Sequence, residues 1–285
     1  LSSSSAASDV YKRQGLFGAG QMMFLKSMIV VDPDQDPKDL EALLDAMNNN
    51  VHIATDIIVL DGMVADSLEA ASPYENVHSK ILIDATTLTE RDPRSSNEPL
   101  EGSYKQIVPA WRQGLEAPPV FDNLDAVLGL EDVSDARMLR DSMLVVTTNI
   151  PDSPSPRDGS SSSNDDGETA RREKILQLRN QIWQLKSSEN LRWLFITNDD
   201  LDLHCEKARR RLLWQLTSRF DVGRGLTFDD QKERMCWDAT TPIPSSEHGV
   251  RRWPAITMHS DETLEAIRKH PELDKYQWPA HLEFR

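Results

Sequence analysis

Two short stretches limit the folds open to this 285-residue chain. Ile83-Asp84-Ala85-Thr86-Thr87 and Trp237-Asp238-Ala239-Thr240-Thr241 carry the same Asp-Ala-Thr-Thr, each closing an apolar run. What precedes them is also alike. Met28-Ile29-Val30-Val31 runs into Asp32-Pro33-Asp34-Gln35-Asp36, and Arg192 to Thr197 runs into Asn198-Asp199-Asp200-Leu201-Asp202. Leu40, Leu43, Leu44 and Met47 then follow at helical spacing in one copy, and Leu212, Leu213 and Leu216 in the other. Short all-apolar runs suit strands covered on both faces. Strand, helix and strand in this order imply a parallel layer backed by helices. The expected fold class is therefore α/β, as two similar small modules with mostly parallel sheet flanked by helices, related as an internal repeat. Asp36 and Pro37 suit the N-cap and first turn of the first helix. Further strands are expected at 57–60, 80–87 and 143–148.

The modules are placed at 15–95 and 171–260. Residues 1–14 show no apolar period, and Asp9-Val10-Tyr11-Lys12-Arg13-Gln14 reads as a translated sequencing adapter, so this part is expected to be a non-native tail. Residues 96–150 are read as a connecting segment containing the strand at 143–148. Residues 151–170 are rich in Ser, Pro, Asp and Gly, cannot bury apolar area, and are expected to be a disordered linker. An amphipathic helix follows, with Ile175, Leu178, Ile182 and Leu185 on one face. Residues 261–285 form a tail with a short helix near 261–270 and Tyr276-Gln277-Trp278-Pro279 as a candidate subunit contact.

Composition excludes several classes. The net charge is −15, and the acidic excess lies in residues 15–170. Nucleic-acid binding needs clustered Lys and Arg, so it is not expected. Arg209-Arg210-Arg211 reads as a solvated helix face. The two cysteines form neither a disulfide framework nor a CxxC pair, which points to a reducing, cytoplasmic setting. No apolar run is long enough to span a bilayer.

The side chains offer no self-contained catalytic set. Asp32-x-Asp34-x-Asp36 lacks the glycine and the glutamate of an EF-hand loop. A haloacid-dehalogenase-like aspartate nucleophile would sit at this strand end, but the second copy has Asn198 there. The remaining reading is structural: acidic groups at a helix start, each worth about 0.3–1 kcal/mol. Gly15 to Phe24 lacks the third glycine and the preceding strand of a dinucleotide fingerprint. The seven histidines show no metal-ligand spacing. No catalytic, cofactor-binding or metal-ligating residue is assigned.

The run Gln21 to Asp36, the segment Asp66-Ser67-Leu68-Glu69-Ala70-Ala71-Ser72-Pro73 and the strand Ser79-Lys80-Ile81-Leu82-Ile83-Asp84-Ala85-Thr86 together resemble the C-terminal domain of UbiD-family decarboxylases. Leu213-Trp214 and Arg219-Phe220-Asp221 are similar to the family's later positions. The resemblance covers 18–87 and, more loosely, 192–254, and the chain looks like the longer members associated with quinone biosynthesis. It implies a UbiD C-terminal-domain-like fold and a homo-oligomer. It also implies non-oxidative decarboxylation of an aromatic or unsaturated acid, with prenylated FMN, a divalent metal such as manganese, and potassium. That chemistry belongs to N-terminal and central domains whose motifs this sequence lacks, so the chain alone is expected to bind no cofactor and to be inactive. Its own part is a wall of the substrate pocket, for which Met63, Asp66 and Leu68 are the candidates, and assembly. Asp84, Thr86, Asp238 and Thr240 are expected to be structural. Two other classes stay open: a non-catalytic α/β interaction module, and a haloacid-dehalogenase-like phosphatase.

Overall fold

The computed structural model describes residues 15, 17–72, 74–88, 111, 116–151, 164–205, 208–242 and 261–270. Residues 1–14, most of the expected linker and Tyr276 to Pro279 lie outside these, so the expectations placed on them do too. Residues 253–285 form a unit of their own, of which the described part is a helix, Asp261–Arg268. Everything below concerns residues up to 252.

Two sheets flanked by helices make a mixed α/β fold. The first contains β1 (Ser27–Val30), β2 (Ile57–Val64) and β3 (Val77–Asp84), in the order β1-β3-β2. Between β1 and β2 lie helix α1 (Leu40–Asn50) and the single turn α2 (Ile53–Asp56). β1 pairs with β3 in parallel, but β2 is antiparallel to β3. The expected parallel order thus holds for the outer two strands of the sequence only. β2 and β3 are joined by one surface loop, and a loop of that length can reverse the chain but cannot make a crossover.

Helix α1 starts later than expected. Its N-cap is Asp39, whose carboxylate accepts from the backbone N–H of Glu41 and Ala42 at 3.1 Å. Asp36 closes the preceding turn instead, accepting from Lys38 N at 2.9 Å. Both satisfy amides that have no partner within the helix, and Asp39 alone is placed to serve the helix itself.

The second sheet has five strands: β4 (Val133–Arg140), β5 (Met143–Thr148), β6 (Trp193–Asn198), β7 (Leu226–Phe228) and β8 (Met235–Asp238), in the order β4-β5-β6-β8-β7. β5, β6 and β8 are parallel; β4 and β7 are antiparallel edges. Residues 133–148, read from sequence as part of a connecting segment, therefore form two strands of this sheet. β4 (VSDARMLR) alternates weakly and carries two arginines, so its apolar signal was missing.

Two helices cover the second sheet on different sides of its sequence. α4 (Asn164–Trp183) follows β5, and α5 (Ala208–Ser218) follows β6, with the turn α6 (Val222–Gly225) leading into β7. α4 buries Ile175, Leu178 and Ile182, as its spacing predicts, and begins inside the stretch expected to be linker. A short helix, α3 (Leu124–Leu128), packs on β4.

The two sheets do not keep separate cores. Ala46, Met47, Val51, Ile53, Ile81 and Ile83 from the first cluster with Trp193, Phe195, Leu216, Phe220 and Trp237 from the second. Phe220 and Trp237 stack with ring centroids 3.8 Å apart. A second cluster on the other face of the larger sheet gathers Leu144, Val146, Leu178, Ile182, Leu194 and Cys236.

Candidate functional site

The Asp-Ala-Thr-Thr turns come first, because they fix the strand ends. Asp84 Oδ1 accepts from Thr86 Oγ1 at 2.7 Å and Thr86 N at 3.2 Å. Asp238 Oδ1 accepts from Thr240 Oγ1 at 2.7 Å and Thr240 N at 2.9 Å. Each carboxylate ties down the first turn after its strand, which is the work of a buried or half-buried Asp beside free amides. The second threonine of each turn is held by the neighbouring strand end. Thr87 N donates to Asp32 at 3.0 Å, and Thr241 N donates to Asn198 at 2.7 Å. Asn in one copy does with an amide oxygen what Asp does in the other, so the acceptor matters and its charge does not. Asp32 is accordingly occupied as a turn acceptor, which favours the structural reading over a nucleophile.

The candidate pocket-wall residues sit together on the loop from β2 to β3. Met63 is the last residue but one of β2, half-buried and paired with His78 across the strands. Asp66 caps the turn beyond it, accepting from Leu68 N at 2.9 Å. Leu68 stands at the tip, 85% exposed. Below the tip the loop is fastened twice. Glu69 accepts from Ala71 N at 3.0 Å and pairs with Lys26 at 2.9 Å. Ser72 Oγ donates to the carbonyl of Tyr74 at 2.9 Å and to that of Val77. Val64, Tyr74 and Val77 are also exposed beside Leu68. The result is an apolar tip on a braced stem. A large apolar side chain held out in water by a fixed backbone marks a contact surface rather than a loose loop.

Beneath the loop lies a group of charged side chains that sequence reading did not single out. His78 and Lys80 point inward from β3 and are both buried. Burial, with the Lys80 ammonium nearby, pushes the His78 imidazole down to about 4. Burial also lowers Lys80, whose ammonium donates to the carbonyl of Met23 and lies 5.1 Å from the Phe17 ring. Asp221, at the N-cap of α6, accepts from Arg224 N at 3.0 Å and is raised by burial. Alternation along β3 would have placed His78 and Lys80 on one face; nothing in the sequence said that face was covered.

A hollow of about 80 Å³ lies elsewhere, between α1, β4 and α5. Leucines dominate its lining, and its two arginines are already engaged. Arg140 binds Glu41 at 2.8 Å and Asp45, and Arg137 donates to the carbonyl of Leu203 at 2.6 Å. It has no free polar group to orient a substrate.

Residues 13–85 match the family model of the 3-octaprenyl-4-hydroxybenzoate carboxy-lyase C-terminal domain. The similarity is confined to a domain that lies at the C-terminus of such carboxy-lyases. Over these residues the chain is similar to the C-terminal domain of the UbiD family. Among curated proteins, the phenolic acid decarboxylase of Escherichia coli O157:H7 is 32% identical over 100 residues, which is 33% of this chain and 20% of that protein. The chain therefore spans about a fifth of the length of this relative. Among solved structures, the vanillic acid decarboxylase of Sedimentibacter hydroxybenzoicus in open form is 28% identical, with 34% of this chain and 21% of that chain covered and a TM-score of 0.29. The UbiD-class enzyme HmfF from Pelotomaculum thermopropionicum in complex with FMN is 22% identical, with 30% and 19% covered and a TM-score of 0.24.

The residues present do not fit a flavin cofactor with its metal. Among the described residues no group of three or more His, Cys, Asp or Glu is placed to hold a metal ion. The loop itself carries Asp66, Glu69 and Glu75, of which Glu69 is already paired with Lys26, so a flavin phosphate would meet like charge there. Among the described residues no helix is long and apolar enough to cross a membrane.

Proposed function

We propose that this chain is the C-terminal end of a UbiD-type carboxy-lyase that removes carbon dioxide from an aromatic or unsaturated acid, in the manner of the longer members tied to menaquinone or ubiquinone synthesis. The chemistry takes place on prenylated FMN, held with manganese and potassium by N-terminal and central domains outside these residues. The chain's own contribution is mechanical. Its braced loop presents Leu68, with Met63 and Asp66 behind it, as one wall of the substrate pocket. The single observation that carries this is the exposed apolar tip standing on a stem fixed by Glu69, Ser72 and Asp66.

A wall of this kind acts by excluding water and shaping the cavity, not by transferring protons. Closing an apolar side chain over a reacting carboxylate strengthens every electrostatic contact within. The assembled protein works in the cytoplasm as a homo-oligomer, and this chain alone is inactive.

The test is a titration of the purified chain with prenylated FMN, manganese and potassium, following flavin absorbance and carbon dioxide release. No binding and no turnover is the expected result. Stoichiometric binding, or turnover of any aromatic acid, would overturn the division of labour. Restored decarboxylation when the chain is joined to the flavin-binding part of such an enzyme, abolished by Leu68→Asp, would support the wall.

A further inference from the structure

We propose that residues 192–241 are a second copy of the unit spanning 26–87, and that the two copies clasp each other as two subunits would, so that this chain carries its own partner. The proposal does not rest on the decarboxylase reading.

The copies agree bond by bond. Lys26 and Arg192 each stand one residue ahead of a strand, β1 or β6. Val30 lies opposite Asp84 and Ile196 opposite Asp238, both in parallel register. Ala85 N donates to Val30 O at 2.8 Å, and Ala239 N to Ile196 O at 2.8 Å. α2 and α6 are single turns that enter β2 and β7 directly, and both strands pair antiparallel to the strand carrying the Asp-Ala-Thr-Thr turn. The opening residues of those pairings, Ile57 with Ile83 and Leu226 with Trp237, occupy matching places.

The contacts between the copies are reciprocal. Arg192 reaches out of the second copy and donates to Val51 O at 2.7 Å and to Asn48 O, just ahead of α2 in the first. Lys26, its counterpart, lies in the electrostatic field of Asp221, just ahead of α6 in the second. Asp221 lies one residue past Phe220, the counterpart of Val51, so the two basic side chains reach matching turns of the opposite copy, as the two halves of an isologous pairing do about a twofold. The shared core carries it further: Val51, Ile53 and Ile83 pack in one cluster with their counterparts Phe220, Val222 and Trp237.

The copies differ where a partner needs least. The first connects its antiparallel strands through residues 65–76, which hold the exposed Leu68. The second uses only residues 229–234, a turn closed by Asp229 accepting from Glu233 N and Arg234 N at 2.8 and 3.0 Å. One copy keeps a presenting loop; the other has become a brace.

The test uses a close backbone approach between the copies. A Cβ on Gly223 in α6 would lie 3.6 Å from Ser79 Cβ in β3. That separation suits a disulfide. In the chain with Ser79→Cys and Gly223→Cys, intact mass after mild oxidation, with peptide mapping, should show a cross-link within one chain. A cross-link between two chains, at twice the mass, overturns the proposal; so does a folded double variant whose new thiols stay free. Should this variant not fold, Gly223→Ala serves instead. Its methyl would meet Ser79 Oγ at 2.9 Å. A lowered melting temperature that Ser79→Ala restores by half or more, at every protein concentration, supports the clasp. Additive losses, or a coupling that vanishes on dilution, overturn it.

Discussion

Glu69 pairs with Lys26 at 2.9 Å, joining the base of the exposed loop to the foot of β1. Both side chains are largely covered, so the pair is not a surface contact free to exchange with water. Replacing Glu69 by Ala should cost about 2 kcal/mol, the range for a hydrogen bond to a charged group. Hydrogen exchange should rise in residues 65–76 before it rises in β3. Equal exchange in loop and strand would mean the loop is held by other means.

Asp84 and Asp238 should each lower stability by about 1.5–3 kcal/mol when changed to Ala, since two donors lose a shared acceptor. Asn should recover part of the loss, because the bond from the threonine hydroxyl needs an oxygen rather than a charge. Chemical denaturation of the four variants reads this directly. Full stability in Asp84→Ala would remove the turn from the list of things that hold the fold.

Arg192 should be among the most costly single positions. Its guanidinium satisfies Val51 O, Asn48 O and Ser142 Oγ, and its flat face lies 4.1 Å from the Trp111 ring centroid. Arg192→Met keeps the volume but orphans those acceptors, each worth about 1–3 kcal/mol. A melting temperature within a degree of the parent would contradict this.

Acid should weaken the fold through His78. Its folded pKa is about 4, below the ordinary imidazole value of 6.5, so the fold prefers the neutral ring. The associated stability is complete above pH 6.5 and is lost as pH falls toward 4, by at most about 3 kcal/mol. His78→Gln should flatten the melting temperature between pH 7 and 4.5. An unchanged slope would place the acid sensitivity elsewhere.

The sequence was legible where its pattern was strong. Strands at 28–31, 57–60, 80–87, 143–148 and 192–197 come from apolar runs, and the structure places strands there within a few residues. What escaped were the edges. β4 interrupts its apolar residues with Arg137 and Arg140, as an edge strand with one covered side can, and β7 is only three residues long. Pairing direction escaped as well: nothing in Ile57 to Val64 says which way it runs beside β3. Of the candidate site, Asp66 and Leu68 fell on one braced loop, while the buried His78 and Lys80 beneath it were invisible, since Lys80 is covered by Met23, 57 positions away, and Phe17.

Cys236 is buried in β8 and its thiol is pushed up by burial, whereas Cys205 is partly open. A thiol reagent should therefore count one sulfhydryl in the native chain and two once the larger sheet opens. Because Cys236 packs in the cluster beneath α4, the second reaction is a clock for that layer's opening. The molecule thus supplies its own reporter: the rate at which the hidden sulfur becomes modified measures how often the larger sheet breathes, with no label added.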